Sequence, residues 1–110
     1  MYWAELAPRS GAEQAGRRPV IVVSHDGFNE VPTWHSVIVV PVSTSQAQAG
    51  RGPTAVILDS GVSGLRVRSV ALCHQVTTLD RAKLTERVGV LPATLLRDVE
   101  AGLRAALDLA

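Results

Sequence analysis

An arginine and a serine stand at the outer ends of two strand-like segments that follow one another in the sequence. Arg18 precedes residues 19–24, which read PVIVVS, and Ser43 ends residues 36–43, which read SVIVVPVS. If the hairpin between these segments closes symmetrically, Arg18 lies opposite Ser43 on one face of the sheet. A guanidinium can hold two phosphate oxygens while a nearby hydroxyl donates to the same group. The pair fits chemistry on a phosphodiester, with a strand-end arginine and a strand-ending serine as the structural alternative.

Two other groups of residues have the composition of a catalytic site but not the spacing. Ser24, His25 and Asp26 are the residue types of a hydrolase triad, but neighbours in an extended chain point to alternate sides. Cys73 and His74 meet the same objection, and the apolar run before Cys73 indicates a small core residue. Because the three histidines and one cysteine are not spaced like a compact metal site, we expect no metal.

Arginines and side-chain amides are concentrated between the strand-like segments. On loops, such side chains can read unstacked bases, which is how single-stranded RNA is usually recognised. Taken one at a time, each of them is better explained as a solvated loop residue. The residues concerned are Arg17, Arg51, Arg66, Arg68, Gln14, Gln46, Gln48 and Asn29.

The elements that must position these residues form a mostly β (α+β) pattern. Short β-branched runs alternate with clusters of turn-forming residues, which predicts five or six short strands in a compact barrel or sandwich. After Pro92, the recurrence of Leu95, Val99 and Leu103 at every fourth position predicts an amphipathic C-terminal helix from Ala93 onward. The predicted strands cover residues 2–6, 19–24, 36–43, 54–58, 69–74 and 84–91.

The two central predicted strands are apolar on both faces. Valine and isoleucine occupy consecutive positions in residues 20–23 and again in residues 37–40. Both faces of the sheet must therefore be covered. We expect the helix and the barrel interior to cover one face, with a second subunit as a candidate for the other.

Composition excludes several classes of protein. With 11 basic and 10 acidic residues among 110, the net charge of +1 excludes a surface that is basic throughout but allows a local basic site. The single Cys73 cannot form an internal disulfide, which fits a reducing compartment. No apolar run reaches the roughly 20 residues that span a bilayer, and the first residues lack the features of a signal peptide. We expect one domain over residues 1–110, located in the cytoplasm and without a membrane partner.

The order of several short motifs resembles the MazF/PemK family of toxin endoribonucleases from type II toxin–antitoxin systems. The most specific part is the stretch GAEQAGRRPV at residues 11–20, and its spacing to VVPVS at residues 39–43 supports the resemblance. The matching motifs extend over nearly the whole chain in the family's order. The other segments are WAELAP at residues 3–8, VVS at 22–24, FN at 28–29, GL at 64–65, SV at 69–70, QV at 75–76 and TLD at 78–80.

This resemblance implies a small SH3-like β-barrel with a C-terminal helix, working as a homodimer with an RNA groove along the subunit interface. It implies sequence-specific cleavage of single-stranded RNA without metal or cofactor, leaving a 2′,3′-cyclic phosphate and a 5′-hydroxyl. In the family, the arginine of the R-P-V motif and a Thr or Ser at the end of the V-P strand carry catalysis. These roles fall on Arg18 and Ser43. The implied partner is a MazE-like antitoxin whose acidic, extended tail covers the groove.

Further residues are expected to contact RNA. Many relatives carry Thr where Ser43 stands, and the neighbouring Thr44 can replace it if the strand register shifts. His74 occupies a position that is often acidic in the family, and the family's N-terminal R-G-[DE] segment is missing. The expected RNA-contacting residues are Glu13, Gln14, Arg17, Thr44, Arg51, His74 and Gln75.

Two readings from other classes remain open at this point. One is a CcdB-like, non-catalytic poison of DNA gyrase, although residues 105–110 lack the Trp-Gly-Ile ending expected of that group. The other is a plain SH3-like binding module, which would require neither Arg18 nor Ser43.

Overall fold

The strands of the protein follow the predicted order along the chain. The computed structural model describes residues 1–6, 16–50 and 52–109. Within them a 15-residue C-terminal helix, α2, spans Ala93–Leu107, and a single helical turn, α1, spans Asp26–Asn29. The strands are β1 Tyr2–Leu6, β2 Gly16–Val22, β3 Ser36–Ser43, β4 Ala55–Leu58, β5 Ser69–Leu72, β6 Thr77–Asp80 and β7 Leu84–Arg87.

All of the strand pairs are antiparallel, and β3 lies at the centre of the sheet. The hydrogen-bonded order is β4-β5-β3-β2-β1-β7, with β6 paired to β3 outside this path. Along one edge β3 pairs with β2; along the other it pairs with β6 as far as Val39 and with β5 at Val42 and Ser43. The change of partner brings the end of β3 to the place where the two parts of the sheet meet.

The register of the central hairpin agrees with the symmetrical closure predicted from the sequence. Val20 pairs with Pro41, and the next two pairs continue in step as far as Val22. The backbone N–H of Val23 then donates to the carbonyl of Ile38 at 2.8 Å. Arg18 and Ser43 lie two positions beyond the Val20–Pro41 pair, so the same register continued would place them opposite one another.

Both faces of the central strands are covered along most of their length, with Ile38 of β3 left 44% exposed. On one face, Ile21 and Val40 belong to a buried cluster that includes Val99 of α2, as predicted for the helix. On the other face, Val20 and Val39 are fully buried in a second cluster. That cluster is completed by Ala4, Leu6 and Val37, with Val22, Leu79 and Leu84 packed against it. The chain itself buries these valines, so their burial does not require a second subunit.

Helix α2 packs closely on the sheet because small residues meet where they cross. Val99 and Cys73 are both fully buried, and a Cβ added at Gly102 would lie 2.7 Å from the sulfur of Cys73. The helix begins directly after Pro92, as predicted, and the N–H of Leu96 donates to the Pro92 carbonyl. None of the helices in the described part of the chain is both long and apolar enough to cross a bilayer.

Several predicted boundaries were wrong. Residues 73–75 form a 3-10 turn instead of continuing β5, because the N–H of Val76 donates back to the carbonyl of Cys73. The predicted last strand ends at Arg87, after which the N–H of Val88 donates to the carbonyl of Met1. Strand β6 and turn α1 were not predicted. The sequence of β6, TTLD, is short and only partly buried, which gives a weak strand signal.

Candidate functional site

A cleft of about 670 Å³ opens where β2 begins and β3 ends. One wall, called here the strand wall, carries Arg17, Arg18 and Thr44. The other wall, called here the loop wall, combines loop residues 64–67 with Glu86 and Arg87 at the end of β7 and with Val88 after it. Among the described residues, those that line the cleft are Trp3, Arg17, Arg18, Pro19, Val42, Thr44, Gly64, Leu65, Arg66, Val67, Ser69, Glu86, Arg87 and Val88.

The start of β2 places two arginines at the cleft. Arg18 is partly buried and stands opposite Ala4 of β1 in the strand register. The guanidinium of Arg17 lies over the Trp3 ring, 4.4 Å from its centroid, and its Nη2 is 3.5 Å from Oε1 of Glu86. The guanidinium of Arg17 thus already contacts an aromatic ring and a carboxylate of the same chain. These contacts reduce the positive charge that it can offer to a ligand.

The two neighbouring hydroxyls at the end of β3 have different surroundings. Ser43 is only 4% exposed, and its Oγ accepts a hydrogen bond of 3.1 Å from the backbone N–H of Ser45. Thr44 is exposed and lines the cleft together with Arg18. Of the two predicted hydroxyl donors, Thr44 therefore reaches the cleft lining and Ser43 lies buried directly beside it.

Two of the other predicted RNA-contacting residues, His74 and Gln75, lie away from the cleft lining. His74 and Gln75 belong to the 3-10 turn after β5, where the Nε2 atoms of the two side chains are 3.5 Å apart. Neither residue is part of the cleft lining. Glu13, Gln14 and Arg51 lie outside the described residues.

Three charged residues of the lining were not predicted as site residues. Arg66 was noted only among the loop arginines, and Arg87 and Glu86 were not singled out. They belong to segments that are distant in sequence from β2 and β3, and no short motif links them. Four arginines and one carboxylate line the described cleft, so its charge is strongly positive although the chain as a whole is nearly neutral.

The rejected groupings show no catalytic geometry. Ser24 Oγ donates to Asn29 Oδ1 at 2.5 Å, whereas His25 Nδ1 accepts from the N–H of Gly27 at 2.9 Å, so the two side chains form no relay. Burial raises the pKa of the Cys73 thiol to about 11, which keeps the sulfur protonated and a poor nucleophile. Within the described residues no group of three or more His, Cys, Asp or Glu side chains is placed to hold a metal ion.

This arrangement suits the binding of a polyanion and the stabilisation of charge at phosphorus. Four arginines from two walls line one cleft, and Thr44 adds a hydroxyl to the same lining. Preorganised donors of this kind are worth most where negative charge develops during a reaction.

Comparison with known proteins assigns the chain to a family. Residues 1–107 match the model of the PemK-like, MazF-like toxins of type II toxin–antitoxin systems. The chain is 38% identical over 109 residues to endoribonuclease MazF6 of Mycobacterium tuberculosis, covering 99% of this chain and 94% of the relative.

Solved structures agree with this match. The M. tuberculosis toxin MazF-mt6 superposes with a TM-score of 0.79 at 26% identity, covering 99% of this chain and 96% of that one. A MazE–MazF structure from Deinococcus radiodurans superposes with a TM-score of 0.73 at 28% identity, covering 99% and 92%. The predicted family is confirmed, ahead of the gyrase-poison and binding-module alternatives. The chain belongs to the PemK-like, MazF-like toxins of type II toxin–antitoxin systems, the family of the MazF endoribonucleases.

Proposed function

We propose that the protein is a metal-independent endoribonuclease that cuts single-stranded RNA at specific sequences, as the toxin of a type II toxin–antitoxin pair in the cytoplasm. The observation that carries this proposal is the arginine-lined cleft at the end of the central hairpin. A locally positive site on a nearly neutral chain attracts a polyanion to that site, and the rest of the surface does not bind anions non-specifically. Loops around such a cleft suit unstacked bases better than a duplex.

The proposed reaction is an internal transesterification. The ribose 2′-oxygen attacks the adjacent phosphorus and forms a new P–O bond, while the bond from phosphorus to the 5′-oxygen of the next nucleotide breaks. The 2′-hydroxyl gives up one proton and the leaving 5′-oxygen takes one, so no water is consumed. The products are a 2′,3′-cyclic phosphate and a 5′-hydroxyl.

Arg18 is the residue proposed to stabilise the phosphoryl group. Its guanidinium stays protonated under all ordinary conditions, so it acts as a charge-bearing donor and not as the base. Two of its N–H groups can bind two non-bridging oxygens at once. The partial burial of Arg18 lowers the local dielectric and strengthens this interaction as charge grows on the oxygens.

Ser43 is the proposed hydroxyl donor to the same group. The register of β2 and β3, continued by two positions, sets it level with Arg18. Because its Oγ already accepts from the N–H of Ser45, the hydroxyl is held in place while its proton remains available for donation. Thr44 offers a second hydroxyl one residue further on, directly in the cleft lining.

The proposal includes barrel closure and a homodimer with the RNA groove along its interface. Large apolar side chains remain exposed around the central hairpin: Val31 at 39%, Trp34 at 46% and Ile38 at 44%. Exposed apolar side chains at neighbouring positions of this hairpin support contact with a second copy.

An antitoxin with an acidic, extended tail is the proposed regulator. The D. radiodurans MazF structure is of a MazE–MazF assembly, which supports a MazE-like partner here. Carboxylates of such a tail would compete with RNA phosphates for the cleft arginines. Bound antitoxin is therefore expected to exclude RNA, and tight binding that left nuclease activity untouched would contradict this role.

The cleavage chemistry is tested with purified protein, a long unstructured RNA and sequencing of the 5′ ends of the fragments. We expect 5′-hydroxyl and cyclic phosphate ends, cleavage unaffected by EDTA, and a loss of about a hundredfold or more in kcat for Arg18→Ala. Arg97→Ala, which removes an equivalent charge from the exposed face of α2, serves as the matched control. Cleavage that survives Arg18→Ala, or that stops on chelation, contradicts the mechanism.

A further inference from the structure

We propose that Arg66 and Arg87 are substrate-positioning residues that hold RNA phosphates flanking the one being cleaved. This assignment rests on the proposed endoribonuclease function. It divides the cleft into a strand wall that acts on the scissile phosphate and a loop wall that binds its neighbours. Both arginines line the cleft, and both are exposed.

The charges of the loop wall are more available to a ligand than that of Arg17. Arg17 is paired with Glu86 and stacked on Trp3. In the part of the chain that the structure describes, no ion pair joins Arg66 or Arg87 to a carboxylate. A phosphate that approaches Arg66 or Arg87 competes with no carboxylate of the described residues, so none of their ion pairs has to break.

The loop wall is also held firmly in place. A Cβ added at Gly64 would lie 2.4 Å from the carbonyl oxygen of Val88, and one at Gly89 would lie 2.1 Å from that of Ser63. The two backbone segments therefore touch at two consecutive points without intervening side chains. This contact fixes the position of Arg66 relative to Arg87.

A buried anchor completes the loop wall. Leu65, next to Arg66, is only 7% exposed and joins the main core cluster. Its carbonyl accepts a 2.7 Å hydrogen bond from the N–H of Gly61, which closes the loop on itself. Because the backbone next to Arg66 is anchored at Leu65, less ordering is needed when a phosphate binds.

The residues of the loop wall are distant in sequence from the hairpin of β2 and β3, which carries Arg18 and Ser43. They nevertheless line the same cleft as Arg18. Single-stranded RNA is bound through successive phosphates, and each neutralised phosphate adds to the salt dependence of binding. Residues that hold neighbouring phosphates raise affinity and set the position of the scissile linkage. They take no part in stabilising charge at the reacting phosphorus.

The test compares the kinetics of Arg66→Ala, Arg87→Ala and the double variant on the unstructured RNA. We expect each single change to raise KM by about five- to tenfold while kcat stays within about twofold of the unaltered protein. The slope of log kcat/KM against log salt should become shallower by about 0.7 for each arginine removed. Arg66→Lys should recover part of the loss because it keeps the charge.

Two controls separate the outcomes. Arg97→Ala should leave KM and the salt slope unchanged, and thermal unfolding of each variant checks that the fold is retained. If the unaltered protein cuts RNA and the loop-wall variants match Arg97→Ala, the assignment of the loop wall is wrong and the proposed function stands. If the unaltered protein does not cut RNA, both proposals are overturned.

Discussion

The two walls of the cleft are built by different means. The strand wall comes from β2 and β3, which are adjacent in sequence and joined by a hydrogen-bonded ladder. The loop wall comes from residues 64–67 and 86–88, which meet through glycine contacts between backbones. The position of the first wall thus depends on the register of β2 and β3. The second wall depends on the pairing of β7 with β1 and, for its loop part, on two residues that have no side chain.

The largest expected effect tests how the loop wall is held. Gly64 has φ of +87°, and a Cβ there would meet the Val88 carbonyl oxygen at 2.4 Å; Gly61 has φ of +85° with nothing within 4 Å. Both Gly→Ala changes place an alanine at a positive φ, which costs stability. Only Gly64→Ala also forces the backbone of Val88 to move. We expect Gly64→Ala to lower the free energy of unfolding by about 2–3 kcal/mol and Gly61→Ala by about 1 kcal/mol.

Denaturant unfolding measures this difference, and KM for RNA provides a second readout. Gly64→Ala should raise KM as Arg66→Ala does, because the wall that carries Arg66 is displaced. Equal stabilities for the two alanine variants would show that the contact with Val88 does not hold the wall.

A smaller effect separates the two neighbouring hydroxyls at the end of β3, Ser43 and Thr44. Ser43→Ala is expected to lower kcat by about tenfold or more, because it removes a donor to a charged group. Thr44→Val should change kcat by less than about threefold, and Ser43→Thr should restore most of the activity. Single-turnover cleavage of one RNA by all three variants measures this ranking. The reverse ranking would transfer the donor role to Thr44, which lines the cleft.

The smallest effect concerns the one carboxylate in the cleft lining. The Arg17–Glu86 pair is 3.5 Å apart with side chains 45% and 72% exposed, so it contributes little to stability. Glu86→Gln should release Arg17 toward RNA and lower KM by about two- to threefold, with unfolding almost unchanged. Glu100→Gln on the exposed face of α2 is the matched charge control. A higher KM for Glu86→Gln would mean that the carboxylate assists binding.

The difference between the walls also explains which parts of the site were predictable. The register of the hairpin was predicted by assuming that its loop closes symmetrically, and the structure confirms it through Val20–Pro41 and the next two pairs. Helix α2 was predictable because its apolar residues recur with helical spacing. The loop wall was not, since the contact of Gly64 with Val88 is between distant segments and leaves no periodic signal.

Individual site residues show the same limit. The sequence identified Arg17 as a cation near the site, but its pairing with Glu86 depends on β1 lying between β2 and β7. Thr44 was predicted to contact RNA and does line the cleft, whereas His74 lies in a turn that the sequence pattern predicted as strand. The residue types thus indicated chemistry on a phosphodiester. Only the order of the strands in the sheet shows which of these side chains line the same cleft.

The close packing of Gly102 against the sulfur of Cys73 has a consequence for redox chemistry. The sulfur is fully buried, donates to the Val99 carbonyl at 3.6 Å, and lies where any side chain at residue 102 would collide with it. Peroxides and thiol-blocking reagents act on accessible thiolates, and this sulfur is neither accessible nor ionised at neutral pH. The fold thus shields its single cysteine from oxidants.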